Sequence, residues 1–452
     1  PTLTPVSRAT LTTGAHPSMH GVVGTRWRDY VDNRPVELTE GREGPGPYNL
    51  IAPTLAETLL QHVPGSQSVT IAAEATSAVV MAGHGGQAFW LDPEHCGWSS
   101  SACYAATLPE WMERSNKERY NRSYVASEWR PLLDRDSYLN HRRRDLTVAN
   151  AGRRKQERTV PSHLALKDDY DRLLYTPAGN TAVLGLAKQA IAQFRLGRDE
   201  TPDLLNICLD TSRRIAEAYG PESMEVEDMY YRLDRDLEDF LTFLFAPAGD
   251  GQATGVLTSD HGTSPSFDAG PTESDRFNTR QFEVIVNGFL NARYGVGEWV
   301  LDYEDKSLYL NHNLIYERGL NLAEVQNEVA IFAMQFRGVS HAQSATAIRT
   351  SYFGSGYARM MQNSYYPRRS GDVLLNLMPG WIEERERCVS TSGSMYGYDR
   401  EVPLVFYGAG AGILRVQRRI DMTAVAPTLA RLAGITEPAA SEGAALAEIV
   451  DL

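Results

Sequence analysis

Short apolar runs bounded by turn residues alternate along this chain with longer stretches whose apolar positions recur every three or four residues. Runs of the first kind predict strands and stretches of the second kind predict helices. The predicted strands are 69–73, 78–82, 204–209, 255–258, 373–377 and 403–407, and the predicted helices are 55–62, 182–194, 222–243, 279–292, 322–336 and 423–432. Such alternation predicts an α/β fold with a mainly parallel central sheet flanked by helices. "WVLDYEDKSLYLN" alternates with period two around Asp305-Lys306, which predicts a β-hairpin. Residues 93–177 are rich in aromatic and charged residues with weak periodicity, so they are expected to be an insertion or cap within one elaborated domain spanning 1–452.

Length and charge narrow the picture. A chain of 452 residues buries a large core, and 42% hydrophobic with 22% charged residues is ordinary globular composition. No apolar run reaches the ~18 residues a membrane span needs. The formal charge of −13 argues against a nucleic-acid-binding domain, which would rest on Lys and Arg neutralising phosphates. The basic runs 141–145 and 152–158 are the exception and read as a solvated loop face. Four cysteines are too few for a disulfide scaffold; Cys96 and Cys103 are close enough in sequence to bridge in an oxidising compartment, and Cys208 lies in an apolar strand-like run.

Two stretches carry candidate chemistry. "PTLTPVSRATLTTG" places Thr4 at the start of a short helical pattern closed by Gly14, where a Thr serves as an N-cap. The same position suits a nucleophile, because the free N–H groups and dipole of a helix start attract a phosphate or an oxyanion. In "GVLTSDHG" a strand ends in Asp260-His261, a carboxylate and an imidazole suited to zinc or a similar cation. Strand ends of this kind are where open α/β sheets bind ligands.

These two stretches, with "YTPAGN", "YGPESMEVEDMYYRLDRDLEDFL", "YGYDREVPLVFYG" and "RRIDMTAVAPTLARLAGI" in one order, resemble the alkaline phosphatase superfamily. The branch they are most similar to contains the bacterial periplasmic phosphatases and the type I phosphodiesterase/nucleotide pyrophosphatases. The resemblance implies a hydrolase acting on a phosphorylated small molecule, in the periplasm or secreted. It implies a nucleophile that becomes covalently phosphorylated and is activated by zinc ions, which lower its pKa and neutralise charge on the transferring group. It carries the nucleophile onto Thr4, four residues before Arg8, where the family commonly has His, and one metal site onto Asp260, His261 and Thr4.

Other positions depart from the family pattern. The second metal site would use a D-x-x-x-H pair before an "FGP"-like turn and a later His; Arg213, Glu217 and Ser392 stand there. The phosphate-binding Asn, 21 residues past the nucleophile (25 minus 4), is Thr25. The Lys-x-Arg pair of the monoesterase branch reads Glu74-Ala75-Thr76. The family's remaining metal aspartate belongs to a strand upstream of Thr4, so an N-terminal strand is expected to be missing. Two outcomes follow for Arg213: an i, i+4 pair with Glu217 that fills the vacated site, or a guanidinium that binds phosphate bidentately. The first expectation for function is phosphodiester or phosphomonoester hydrolysis through phospho-Thr4 with at most one divalent metal, zinc first. The alternative is a catalytically degenerate member that binds an anionic ligand or a partner, and a sulfatase-like or phospho-transferring enzyme is a third class.

Overall fold

The computed structural model describes residues 2–92, 94–118, 121–125, 129–140, 170–246, 253–266, 276–385, 388–408 and 413–450. The chain enters on helix α1 (Thr4–Thr13), passes through α2 (Leu55–His62), strand β1 (Ser68–Ala72), α3 (Ala75–Ala82), and strands β2 (Gln87–Asp92) and β3 (Gly97–Ser99). After a long excursion it returns through α4 (Ala178–Phe194), β4 (Leu204–Cys208), α5 (Thr211–Tyr219), α6 (Met224–Leu244) and β5 (Thr254–Thr258). Then come α7 (Thr279–Tyr294), β6 (Val300–Glu304), β7 (Ser307–Leu310), α8 (Leu322–Ala333), β8 (Val339–Ser344), β9 (Val373–Leu377), β10 (Leu404–Gly408) and α9 (Val425–Leu432).

The α/β expectation holds. Strand β1 pairs in parallel with both β2 and β4, β3 adds an antiparallel edge, and β5 pairs antiparallel with β10. All five β1 residues are buried, as a strand covered on both faces requires. The aliphatic face of α4 (Val183, Leu184, Leu186) packs against Val69, Ile71 and Phe89 of this sheet. A separate antiparallel sheet, β8-β9-β7-β6, has its own core with Phe282, Val286, Leu290 and Val329 of α7 and α8 packed upon it. Among the described residues β4 and β5 each have one hydrogen-bonded strand neighbour, so both present an open edge.

Most boundaries fall where the apolar pattern puts them: α2 and β9 coincide with the expected ranges. Helix α2 begins on a reciprocal capping box, Thr54 accepting from Glu57 N–H and Glu57 from Thr54 N–H, an arrangement that satisfies two free donors. The hairpin turns at Asp305-Lys306, both at positive φ (45° and 66°), as a two-residue turn matched to strand twist demands. One expected strand is wrong. Residues 78–82 are helical, the last turns of α3. Its side chains Ala78, Val79, Val80 and Ala82 are buried, so the run has no polar face and its period is hidden.

One further expectation changes. All four cysteines are free, Cys96 buried and Cys103 exposed, so no bridge joins them. Cys208 is buried as its apolar run implies. The basic runs at 141–145 and 152–158 lie outside the described residues. The described part of the 93–177 segment at 129–140 docks on α6, where buried Asp228 accepts from Trp129 Nε1 (2.6 Å), Leu132 N (2.7 Å) and Tyr138 OH (2.5 Å). No helix among the described residues is long and apolar enough to cross a membrane.

Candidate active site

Helix α1 is capped by Leu3 in extended conformation, and Thr4 is the first helical residue, with Pro5 next. Thr4 is therefore not the N-cap, and its hydroxyl makes no capping bond. Proline is pre-organised for the first turn and has no N–H to leave unpaired, which frees the Thr4 side chain for another partner. That partner is His261: Thr4 Oγ1 lies 2.9 Å from His261 Nε2. His261 Nδ1 lies 2.6 Å from the Gly262 carbonyl, which only accepts, so Nδ1 carries the proton and Nε2 presents its lone pair to Thr4.

His261 and Asp260 follow β5 directly. The turn needs Gly262, since a Cβ there would sit 2.0 Å from the Tyr398 carbonyl oxygen, and its N–H donates to Asp399 O (2.8 Å). Asp260 Oδ1 accepts from His261 N–H (3.1 Å), whereas Oδ2 is buried and has no hydrogen-bond partner. Oδ2 faces Arg8 Nε at 3.1 Å as an ion pair and lies 4.0 Å from His261 Nε2. Burial works to raise the Asp260 carboxyl, but Arg8, His261 and Arg213 together outweigh it and the group is held below its ordinary range.

Arg8 reaches a second carboxylate, Asp210, which sequence reasoning missed. Arg8 Nη1 donates to Asp210 Oδ1 at 2.5 Å, and Asp210 also accepts from Ser77 Oγ (2.6 Å), Ala73 N and Glu74 N (3.1 Å each). Asp210 has 0% exposure at the end of β4. Thus one guanidinium ties the carboxyl ends of β4 and β5 to α1. The signal was present in "CLDTS", a carboxylate just past an apolar strand, as in "TSDHG".

On the other side of the cleft stand the substituted positions. Arg213 Nη1 donates to both Glu217 oxygens (3.2 and 3.1 Å), and Nη2 to both Glu74 oxygens (2.8 Å each). Arg214 Nε adds a 2.6 Å bond to Glu74 Oε1. Burial would raise the Glu74 carboxyl, yet the two guanidinia lower it. The i, i+4 pair with Glu217 is present as expected, and Glu74 is the partner that no local pattern announces, 139 residues away. Ser392 lies on a buried segment laced to the chain start, where Gly393 N donates to Thr2 Oγ1 (3.1 Å) and Thr2 Oγ1 to Ser394 O (2.8 Å). The Ser392 carbonyl accepts from buried Lys306 Nζ at 3.4 Å. Thr25 is exposed, just before the strand at Arg26–Asp29, and its carbonyl accepts from Leu38 N (2.8 Å).

The donors fit one divalent ion. Asp260 Oδ2, buried and without a hydrogen-bond partner, His261 Nε2 and Thr4 Oγ1 converge from one side as an oxygen and imidazole set. Arg213 is held in ion pairs with Glu74 and Glu217, and Ser392 offers no imidazole. Among the described residues no group of three or more His, Cys, Asp and Glu side chains could hold a metal.

A partly parallel α/β sheet flanked by helices in this order is the alkaline-phosphatase-like fold of phosphoester hydrolases. The family model for type I phosphodiesterase / nucleotide pyrophosphatase matches residues 1–399, and the chain belongs to that family. Among curated proteins it is 29% identical to a "calcium-transporting ATPase" of Myroides odoratus, covering all of this chain and 86% of that protein. It is 27% identical to alkaline phosphatase PafA of Elizabethkingia meningoseptica, over all of this chain and 86% of the relative. The crystal structure of wild-type PafA superposes with a TM-score of 0.91 at 26% identity, covering 100% of this chain and 90% of that one. Murine ectonucleotide pyrophosphatase/phosphodiesterase 5 shares the fold at 12% identity, TM-score 0.54, with 100% of this chain and 88% of that chain covered.

Proposed function

We propose that the chain hydrolyses phosphoesters through a covalent phospho-Thr4 intermediate, with at most one divalent metal, zinc first. The observation that carries this reading is the 2.9 Å contact of Thr4 Oγ1 with His261 Nε2 at the start of α1. The Thr4 proton is directed at His261 Nε2, while Gly262 O fixes the ring, so the oxygen's free lone pairs are turned away from the imidazole. The unpaired N–H groups of the first turn of α1 face the developing charge. A divalent ion held by Asp260, His261 and Thr4 would take the Nε2 lone pair in place of the Thr4 proton, lower the hydroxyl pKa and neutralise phosphoryl charge.

The surroundings favour a phosphodiester over a terminal phosphate. Glu74 is anionic where the monoesterase branch has a Lys, and Ala75 and Thr76 offer no cation. A dianionic phosphate finds no free counter-charge there, Glu74 being paired with Arg213 and Arg214, whereas a diester carries one charge less and needs fewer. The family resemblance supports a periplasmic or secreted site for this activity. In the experiment that tests it, the wild type turns over an aryl phosphodiester and Thr4→Ala does not; a Thr4→Ala protein with undiminished turnover overturns it.

One observation favours a second reading, a degenerate member that binds an anionic ligand or a partner. Both ends of the Arg213 guanidinium are occupied by Glu74 and Glu217, so the second half of the cleft is closed by ion pairs. On that reading the wild type binds a phosphodiester without turning it over, and Thr4→Ala leaves affinity unchanged.

A further inference from the structure

We propose that Arg8 is a resident cation of the Asp260-His261 half of the site and that it sets how weakly this half takes a divalent ion. The inference rests on the reading that Thr4, Asp260 and His261 are the ligand set. Arg8 Nε stands 3.1 Å from Asp260 Oδ2, the same buried oxygen that is left without a hydrogen bond and that an ion would need. An ion on that oxygen faces a guanidinium at close range in a water-poor site, where like charges repel strongly.

Arg8 cannot simply withdraw. Its other end is fixed on Asp210 at 2.5 Å, and Asp210 is itself fixed by Ser77 Oγ and by the N–H groups of Ala73 and Glu74. Swinging Arg8 away strands a fully buried carboxylate, which costs several times more than a surface pair is worth. Burial opposes the charge on Arg8, and Asp210 and Asp260 hold it on. The guanidinium is thus held in place from two strands, and Asp260 shares its one positive charge with Asp210. A site of this kind keeps its geometry without metal and binds metal only beside a fixed guanidinium.

The test measures affinity rather than turnover, so it fails or succeeds independently of the phospho-Thr4 reading. Zinc alone and manganese alone are titrated calorimetrically into the full chain as wild type, Arg8→Lys, Arg8→Gln and Arg8→Gln/Asp210→Asn. Circular dichroism checks that each is folded. The Gln single variant and the charge-balanced double variant are expected to bind about tenfold or more tightly than wild type, and Arg8→Lys to stay within about threefold of it. A folded Gln or double variant that binds no more tightly than wild type overturns the proposal. Should neither fold, the wild type decides: zinc binding weaker than about 10 μM supports the proposal, and binding at or tighter than that overturns it.

Discussion

The Asp260-His261 cluster and the Arg213 cluster are built from different residues and differ in what their charges are doing. Around Asp260-His261 a carboxylate oxygen, an imidazole lone pair and a hydroxyl converge with bonding capacity to spare. Around Arg213 both Nη groups are taken up by Glu217 and Glu74, Arg214 adds a bond to Glu74, and Nε alone has no hydrogen-bond partner. On the proposed correspondence with the family pattern the residues at 74 and 213 are complementary, an anion standing at a cation's position and a cation at a metal carboxylate's, so the local charge balance is kept. On the proposed function the first cluster acts on a ligand and the second stabilises the fold around it.

The comparison breaks most decisively at Thr4. Thr4→Ala should cut phosphodiester turnover at least about a thousandfold, ~4 kcal/mol of transition-state stabilisation, while thermal unfolding barely moves. Arg213→Ala should do the reverse. It leaves Glu74 buried beside Arg214 alone, with an expected loss of about 3–5 kcal/mol by denaturant unfolding. The pair Glu74→Leu/Arg213→Met should recover much of that loss, since apolar side chains of similar volume often replace a buried ion pair without cost.

A smaller effect reads the packing of α1. His20 is buried and held neutral, its pKa lowered by burial to about 3. Its Nδ1 accepts from Val22 N (3.1 Å) and its Nε2 meets Thr10 Oγ1 (3.1 Å). A folded-state pKa below the unfolded value gives stability that is present above pH ~6.5 and lost as pH falls. Wild type should lose about 2 kcal/mol between pH 7 and pH 5 from this residue alone, and a His20→Gln variant should lack that part of the slope. The smallest effect is at the capping box: Thr54→Ala should cost about 1 kcal/mol and leave turnover intact.

What the sequence made legible follows from range. Period and turn chemistry are local, so α2, β9 and the Asp305-Lys306 hairpin lie where the pattern puts them. The strand expected at 78–82 failed because a fully buried helical segment of small apolar residues looks like a buried strand. At the site, Thr4, Asp260 and His261 were visible through helix-start and strand-end logic, and the structure brings Thr4 and His261 into contact. Asp210 carried the same strand-end signal. The Arg8 bridge and the Glu74 pairing did not, because contacts 202 and 139 residues apart leave no trace in a single sequence. Thr4 as an N-cap failed: Leu3 takes the cap position, and the Thr4 hydroxyl meets His261 instead.

The claim that one half of the cleft is open and the other closed is tested most directly by anomalous scattering from crystals of the wild-type protein soaked in zinc. The account predicts a single peak within bonding distance of Asp260 and His261 and an intact Glu74–Arg213–Glu217 bridge. A peak between Glu217 and Ser392, with Arg213 swung out, would contradict it.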